Sequence, residues 1–333
     1  MRVGILGTGF MGVTHAMGWK KTDAELVGFA AESEAEARPV VEQFGGSVYQ
    51  NMAAMLPDVD IVDICTPTHL HYEMVLAAAK AGKHVICEKP LALTIAQGQE
   101  MVTACKKADV KFYVAHVVRY FPEYASAYQA VQKGSIGRVA TMRLRRGGFR
   151  PKKANGNWFL DEKKSGGMML DLMIHDFDYA RWVAGDVVQV FAKKISSMNP
   201  TAVLDYGMAI LTHKSGAISH ISGAWAYPPP TFRTGLEISG DGGMIHSDSD
   251  STAPIINYLQ SKPGEAPDVG LPSSPVIESP YTTQIKEFYE GIKKDSPVRL
   301  NAEDGLAALQ IALAALESAR TGKAVNLTTE VLA

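Results

Sequence analysis

The residues best suited to proton transfer lie between Ser165 and Asp178, where Asp171 precedes His175 by four positions and Asp178 follows three later. Ser165 reads as an N-cap, and Met168, Leu170, Leu172, Met173, Ile174 and Phe177 supply an apolar side, so the stretch predicts one helix. On a single helix Asp171, His175 and Asp178 share a face. A carboxylate and an imidazole on a mostly apolar face are costly to bury unless each has a partner or a task. An acid–base pair is one reading and an intrahelical hydrogen-bonded pair in a satisfied core is another. A metal site is disfavoured, because no matching His or Cys cluster occurs elsewhere.

A second chemical signal opens the chain. Met1 to Leu6 is an apolar run, followed by Gly7-Thr8-Gly9-Phe10-Met11-Gly12 and a helical stretch from Val13 to about Lys20. Between strand and helix this pattern predicts a dinucleotide site: Gly7 for the tight turn, Gly9 for approach of the pyrophosphate, Gly12 for close packing, with Phe10 and Met11 at the helix start. A second strand is expected over Glu25 to Ala30, and Glu32 falls twenty residues beyond Gly12, where an acid holds the adenosine ribose. A carboxylate there repels a 2′-phosphate, so NAD is favoured; Arg38 on the next helix leaves NADP open.

Further candidates stand where strands end. Asp60 to Cys65 reads as an apolar strand that stops at Thr66-Pro67-Thr68-His69-Leu70-His71, and His84 to Cys87 as a strand that stops at Glu88-Lys89-Pro90. The carboxyl edge of a parallel sheet is where dinucleotides bind, which marks Thr66, Pro67, His69, His71, Glu88 and Lys89 as cofactor candidates, with Lys89 able to face substrate too. Arg119, after the strand Lys111 to Ala115, and Asn157 and Trp158 are polar or aromatic loop residues that could line the site.

A chain of 333 residues with 46% hydrophobic and 20% charged side chains has room for two packed domains. Alternating strands and helices to Phe121 predict an α/β Rossmann domain, a doubly wound parallel sheet over residues 1–121. From Pro122 the pattern turns to α+β. After a helix from Glu123 to Lys133, strands are expected at Arg138 to Arg146, Val187 to Ile195, Tyr206 to Thr212, Ala217 to Trp225, Thr234 to Ser239 and Met244 to Ser247. They predict a large, mainly antiparallel open sheet covered by helices over 122–333, with the Asp171 helix across one face. Tyr227 to Pro230 and Lys262 to Pro280 read as loops, and Thr282 to Lys293 and Ala302 to Thr321 as closing helices.

The balance of 33 basic and 35 acidic side chains provides no field for a polyanion, so nucleic acid is not an expected partner. The basic cluster Arg143, Arg145, Arg146, Arg150, Lys152 and Lys153 alternates at first with Met142 and Leu144, as on a strand with one solvated or interface face. Cys65, Cys87 and Cys105 have no metal or redox spacing and are expected as small buried hydrophobes in a reducing compartment. No apolar run is long enough for a transmembrane helix and Met1 leads almost directly into a strand, so a cytoplasmic location away from the membrane is expected.

In order along the chain, Gly7-Thr8-Gly9-Phe10-Met11-Gly12, Thr66-Pro67-Thr68-His69-Leu70-His71, Glu88-Lys89-Pro90, Gly166-Gly167 to Asp171 and His175, and Ala315-Leu316-Glu317-Ser318-Ala319-Arg320-Thr321-Gly322-Lys323 resemble the glucose-fructose oxidoreductase, inositol dehydrogenase and MocA family. Met173 to Trp182 is particularly similar to the inositol 2-dehydrogenase branch. The resemblance implies a nicotinamide-dependent oxidoreductase acting on a sugar, cyclitol or related polyol, in a homodimer or homotetramer assembled through the large sheet. It places the family's catalytic lysine on Lys89, its aspartate on Asp171 and its histidine on His175. Two positions depart from the pattern: Ala31 stands where many members have the ribose-binding acid, and Val117-Val118-Arg119 replaces an Asn-Arg-Arg run.

The expected chemistry is removal of a hydroxyl proton as hydride leaves carbon. An imidazole titrates near pKa ~6.5 and suits the base, with Asp171 orienting His175 and the Lys89 ammonium stabilising the alkoxide; a desolvated lysine could serve as the base instead. Rival readings are a non-enzymatic sensor of dinucleotide and sugar, which the family also contains, and a metal-dependent hydrolase built on Asp171 and His175.

Overall fold

The computed structural model describes residues 1–151, 158–196, 205–249 and 278–328; Asn157, Lys152, Lys153 and residues 262–277 lie outside them. The chain divides into two compact units, Met1–Tyr120 with Val276–Leu306, and Phe121–Pro275 with Ala307–Ala333.

The first unit alternates strand and helix: β1 (Arg2–Leu6), α1 (Phe10–Trp19), β2 (Glu25–Ala30), α2 (Glu34–Phe44), β3 (Ser47–Val48), α3 (Met52–Met55), β4 (Ile61–Ile64), α4 (His71–Lys80), β5 (His84–Glu88), α5 (Ile95–Lys107) and β6 (Phe112–Ala115). The strands form a six-stranded parallel sheet in the order β3-β2-β1-β4-β5-β6. Val3, Ile5, Ile61, Val62, Ile64, Val85 and Ile86 are fully buried, as a sheet covered on both faces requires, each contributing about 1.5–3 kcal/mol of apolar burial. From β1 the chain moves out to β2 and β3 and then returns to β4 on the other side, so the topological switch falls between β1 and β4. The helix expected from Val13 starts at Phe10, because Gly9 is its N-cap and the end of the glycine motif is already helical.

The second unit contains α6 (Pro122–Gln132), β7 (Val139–Gly148), α7 (Glu162–Ser165), α8 (Gly167–Asp171), α9 (Ile174–Ala184), β8 (Val187–Ser196), β9 (Asp205–His213), β10 (Ile218–Trp225), β11 (Phe232–Gly240), β12 (Gly243–Asp248) and β13 (Val325–Asn326). These strands form a seven-stranded sheet in the order β12-β11-β7-β10-β9-β8-β13, parallel between β7 and β10 and antiparallel at every other pairing. β13, two residues long, is too short to leave a periodic signal in the sequence.

Helices α8 and α9 lie against one face of this sheet. Gly207 and Gly223 pair directly across β9 and β10 and form a bay for methionine. A Cβ at Gly223 would stand 2.3 Å from Met173 Cγ, and one at Gly207 would stand 2.8 Å from Met173 Sδ. The opposite face exposes Tyr206, Met208 and Ile210 along β9.

The last two helices correct a simple split at residue 121. Helix α10 (Pro280–Lys294) groups with the first unit, and α11 (Ala302–Thr321) does so as far as Leu306. Ile285 of α10 fits against Gly18, where a Cβ would lie 3.1 Å away, Tyr289 meets the Trp19 ring edge-on at 5.8 Å, and Phe288 stacks on Tyr113 at 5.0 Å. The apolar face of α10 is visible in the sequence, but periodicity does not say which core receives it. Among the described residues no helix is long and apolar enough to cross a membrane.

Candidate active site

In the first unit, the loops after β1 and β4 touch at the switch point. Gly7 has φ +94°, and a Cβ there would fall 2.6 Å from the carbonyl oxygen of Cys65. A Cβ at Gly12 would fall 2.0 Å from the carbonyl oxygen of Gly7. Only glycine lets the turn and the first turn of α1 approach this closely. No side chain caps the α1 N-terminus, which leaves its backbone N–H groups and positive dipole end for an anion. These are the features a dinucleotide's pyrophosphate requires. Phe10, 43% exposed at the helix start, stands clear of the core; Met11 is half-buried and Glu32 exposed beyond β2. Arg38 on α2 pairs with Glu34.

The β4 and β5 loops are tied to each other by His71. Its buried ring reaches Thr66 O through Nε2 and Pro90 O through Nδ1, each at 2.9 Å. Burial pulls its pKa down against the contrary pull of those carbonyls, so the neutral ring donates to one of them at a time, its tautomer deciding which. Thr66, Pro67 and His69 are half-buried on the loop above. The Glu88 carboxylate accepts the backbone N–H of Lys89 at 3.0 Å, and the Lys89 side chain is half-buried.

Arg119 departs from expectation. Its guanidinium is 1% exposed, donates to Arg299 O at 2.7 Å and pairs with Asp304 at 3.3 Å. It is a brace inside the first unit, since a loop cation next to a buried carbonyl and an acid is drawn inward.

In the second unit the stretch expected as one helix is three pieces. Ser165 ends α7 and Gly166, not Ser165, is the N-cap of α8, although the Ser165 Oγ accepts from the backbone N–H of Gly167 at the start of α8 at 3.0 Å and donates to Phe159 O at 2.9 Å. Gly166 and Gly167 both have φ +76° and turn the chain into α8. A second break falls at Leu172 and Met173, whose N–H groups both reach Met168 O, at 2.8 and 3.3 Å. Asp171 therefore closes α8 while His175 and Asp178 belong to α9. Asp171 and Asp178 are buried and His175 is half-buried. Trp158 stacks on Phe159 with ring centroids 4.0 Å apart.

The residue after His175 anchors the start of α9. Asp176, fully buried, receives Arg146 Nε at 2.8 Å and Nη2 at 3.0 Å. Burial raises the Asp176 pKa, and the Arg146 charge and hydrogen bonds offset only part of the rise. The basic strand thus splits: Arg143 and Arg145 point outward onto Glu237 at 3.2 Å and Asp248 at 2.7 Å, while Arg146 lies on the core face with Met142 and Leu144.

Sequence reasoning missed this pair, and it missed His15 and Asp63 in the first unit, which meet at 3.0 Å with both side chains fully buried. A signal existed for Asp63: a charged residue inside the apolar run of β4 needs a partner. Cys87 and Cys105 are buried as expected, with burial pushing the Cys105 thiol up to about 12. Cys65 instead sits 3.3 Å from His15 Nδ1.

Comparison with known proteins agrees with this geometry in both units. The description "Oxidoreductase family, NAD-binding Rossmann fold" matches residues 1–116, and "GFO/IDH/MocA C-terminal domain" matches residues 124–246. The chain is 30% identical to the myo-inositol 2-dehydrogenase of Thermotoga maritima over 342 residues, covering 98% of each protein. It belongs to the GFO/IDH/MocA oxidoreductase family. It is also 32% identical to the 1,5-anhydro-D-fructose reductase of Ensifer adhaerens over 82% of this chain and 81% of that one. The crystal structure of a probable dehydrogenase from Thermotoga maritima superposes with a TM-score of 0.82 at 29% identity, covering 98% of each chain. As a GFO/IDH/MocA protein the chain is an NAD-dependent oxidoreductase, and the glycine cradle at β1 fits the dinucleotide.

Proposed function

We propose that the chain oxidises a secondary alcohol of a sugar, cyclitol or related polyol, using Lys89 from the first unit and Asp171 and His175 from the second. The observation that carries this reading is the placement of Lys89 at the carboxyl end of β5, directly after a carboxylate that holds its backbone N–H. The names of the relatives, myo-inositol 2-dehydrogenase and 1,5-anhydro-D-fructose reductase, direct the substrate class to cyclic polyols and sugars.

Gly7, Gly9, Phe10, Met11 and Gly12 would hold the pyrophosphate, and Glu32 the adenosine ribose, which favours NAD over NADP. Thr66, Pro67 and His69 would edge the cofactor, with His71 acting from beneath through the two carbonyls it bridges. Bound NAD supplies the acceptor for the hydride that leaves the carbinol carbon. His175 takes the hydroxyl proton, Asp171 fixes the imidazole and offsets its charge once protonated, and the Lys89 ammonium donates to the developing alkoxide. Trp158 would pack against the substrate ring, and Asn157, outside the described residues, remains a candidate hydrogen-bonding partner. We further propose that the outward face of the large sheet, where Met208 is 54% and Met244 61% exposed beside the Arg143–Glu237 and Arg145–Asp248 pairs, takes a second copy of the chain.

The test is a panel of sugars and cyclitols assayed with NAD and with NADP by absorbance of the reduced nicotinamide. Turnover of at least one ring polyol, faster with NAD, supports the reading. Tight NAD binding with no turnover across the panel sinks it and favours a sensor.

A further inference from the structure

Beneath the loops that carry Thr66 and Lys89 lies a polar cluster that the roles above leave without a task, Glu88 included: expected at the cofactor, its carboxylate is buried against His15 and the Lys89 backbone. His15, on the buried side of α1, has no exposed surface. Its Nδ1 stands 3.0 Å from each Asp63 carboxylate oxygen, and its Nε2 stands 3.2 Å from Glu88 Oε1. Trp19 Nε1 also donates to Asp63 at 2.7 Å. The Nδ1 contact is a hydrogen bond and the Nε2 contact an ion pair, and two carboxylates flanking one imidazole favour the ring with both nitrogens protonated. Burial alone would lower the His15 pKa, but the Asp63 charge and the hydrogen bonds with Asp63 and Cys65 outweigh it and hold the ring well above its ordinary value. Burial would raise Glu88, yet His15 and Lys89 bring it below the usual carboxylate range.

The contacts run in series. The cationic ring of His15 faces one oxygen of Glu88, and the other oxygen accepts the Lys89 backbone N–H at 3.0 Å. Across the Glu88-Lys89-Pro90 turn, His71 grips Pro90 O at 2.9 Å. A buried ion triad is weak evidence for stability, because apolar side chains of the same volume often do as well. Its contact with the residue next to Lys89 is what gives it a function.

We propose that His15 is a positioning residue for Lys89, a buried cation that fixes the Lys89 backbone at the end of β5 through the Glu88 carboxylate. The inference rests on the proposed role of Lys89 at the reacting alcohol. Misplacing a catalytic group by about 1 Å can cost on the order of 10²-fold in rate, so loss of the cation should lower turnover and leave NAD binding intact.

The experiment uses the full chain, NAD and the polyol turned over fastest in the panel. kcat and the NAD dissociation constant are measured for His15→Gln, Glu88→Gln, Lys89→Ala and their pairwise combinations. His15→Gln and Glu88→Gln should each lower kcat roughly 10–100-fold without changing NAD affinity. The His15→Gln/Glu88→Gln double should be no slower than the slower single, and His15→Gln should add nothing to Lys89→Ala. Glu88→Gln preserves shape and tests the series even if His15→Gln does not fold. Undiminished kcat in folded Glu88→Gln, or full multiplicative losses with Lys89→Ala, would overturn the proposal. So would a stoichiometric metal ion in the purified protein that His15→Gln releases, since His15, Asp63 and Cys65 lie close enough to share one. Wild-type turnover in Lys89→Ala would bring down the functional reading itself and the positioning role with it.

Discussion

At the carboxyl edge of the first unit the proposed cofactor surface is shaped by backbone: Gly7, Gly12 and the uncapped start of α1. Around Asp171 and His175 the second unit relies on side chains, with Met168 and Met173 seated over Gly207 and Gly223 and Asp176 clamped by Arg146. A backbone-built site tolerates few residue types and so writes itself into a short motif. A side-chain-built site depends on partners far along the chain and leaves a weaker local trace.

The largest expected stability effect lies on the side-chain-built half. Arg146→Met leaves Asp176 without its cation in the core and should lower unfolding free energy by about 3–5 kcal/mol in denaturant titration; a change below about 1 kcal/mol would mean that the clamp does not hold α9. On the backbone-built half, Gly12→Ala gains helix propensity of about 1 kcal/mol. The added methyl would still fall 2.0 Å from Gly7 O, and overpacking of about 1–3 kcal/mol should win. NAD affinity should fall roughly tenfold for each 1.4 kcal/mol expressed at the turn, as calorimetry would read; unchanged affinity would separate the glycines from the cofactor.

A third comparison uses pH. Glu88 has a folded pKa below its ordinary value, so its contribution is present above the unfolded value of about 4.5 and is lost as pH falls through the folded one. The stability gap between wild type and Glu88→Gln should therefore close on acidification below that value, and a gap independent of pH would contradict an ionised Glu88. The smallest effect belongs to Arg143→Ala. That arginine is 70% exposed in its pair with Glu237, and its loss should change stability by less than about 1 kcal/mol, against the much larger loss at Arg146 three residues along the same strand.

Much of the fold was legible because its rules are local. β2 and α11 fall on their expected residues, and six of the seven strands of the large sheet lie within two residues of expectation, since alternation and turn residues mark them. The Asp171 stretch was misread because apolar residues on every side mimic one helical face. The break at Gly166 comes with the left-handed φ of two glycines, and the one at Leu172 and Met173 with Met168 and Met173 packed over Gly207 and Gly223 on β9 and β10. Arg119 read as a loop residue able to line the site and Arg146 as one of a basic strand cluster, and the acids that bury them, Asp304 and Asp176, are identified only by the fold. His15 gave no sign of the positioning role proposed for it because Asp63 and Glu88 lie far away in sequence.

The most direct measurement is single-turnover reduction of NAD by the best polyol, with NAD affinity measured separately, in Lys89→Ala and His175→Ala. Removing a general acid or base usually costs on the order of 10²–10⁴ in rate, so each variant should lose turnover on that scale while binding NAD as the wild type does. Near wild-type turnover in either variant would show that the residue replaced does not handle the proton or the alkoxide.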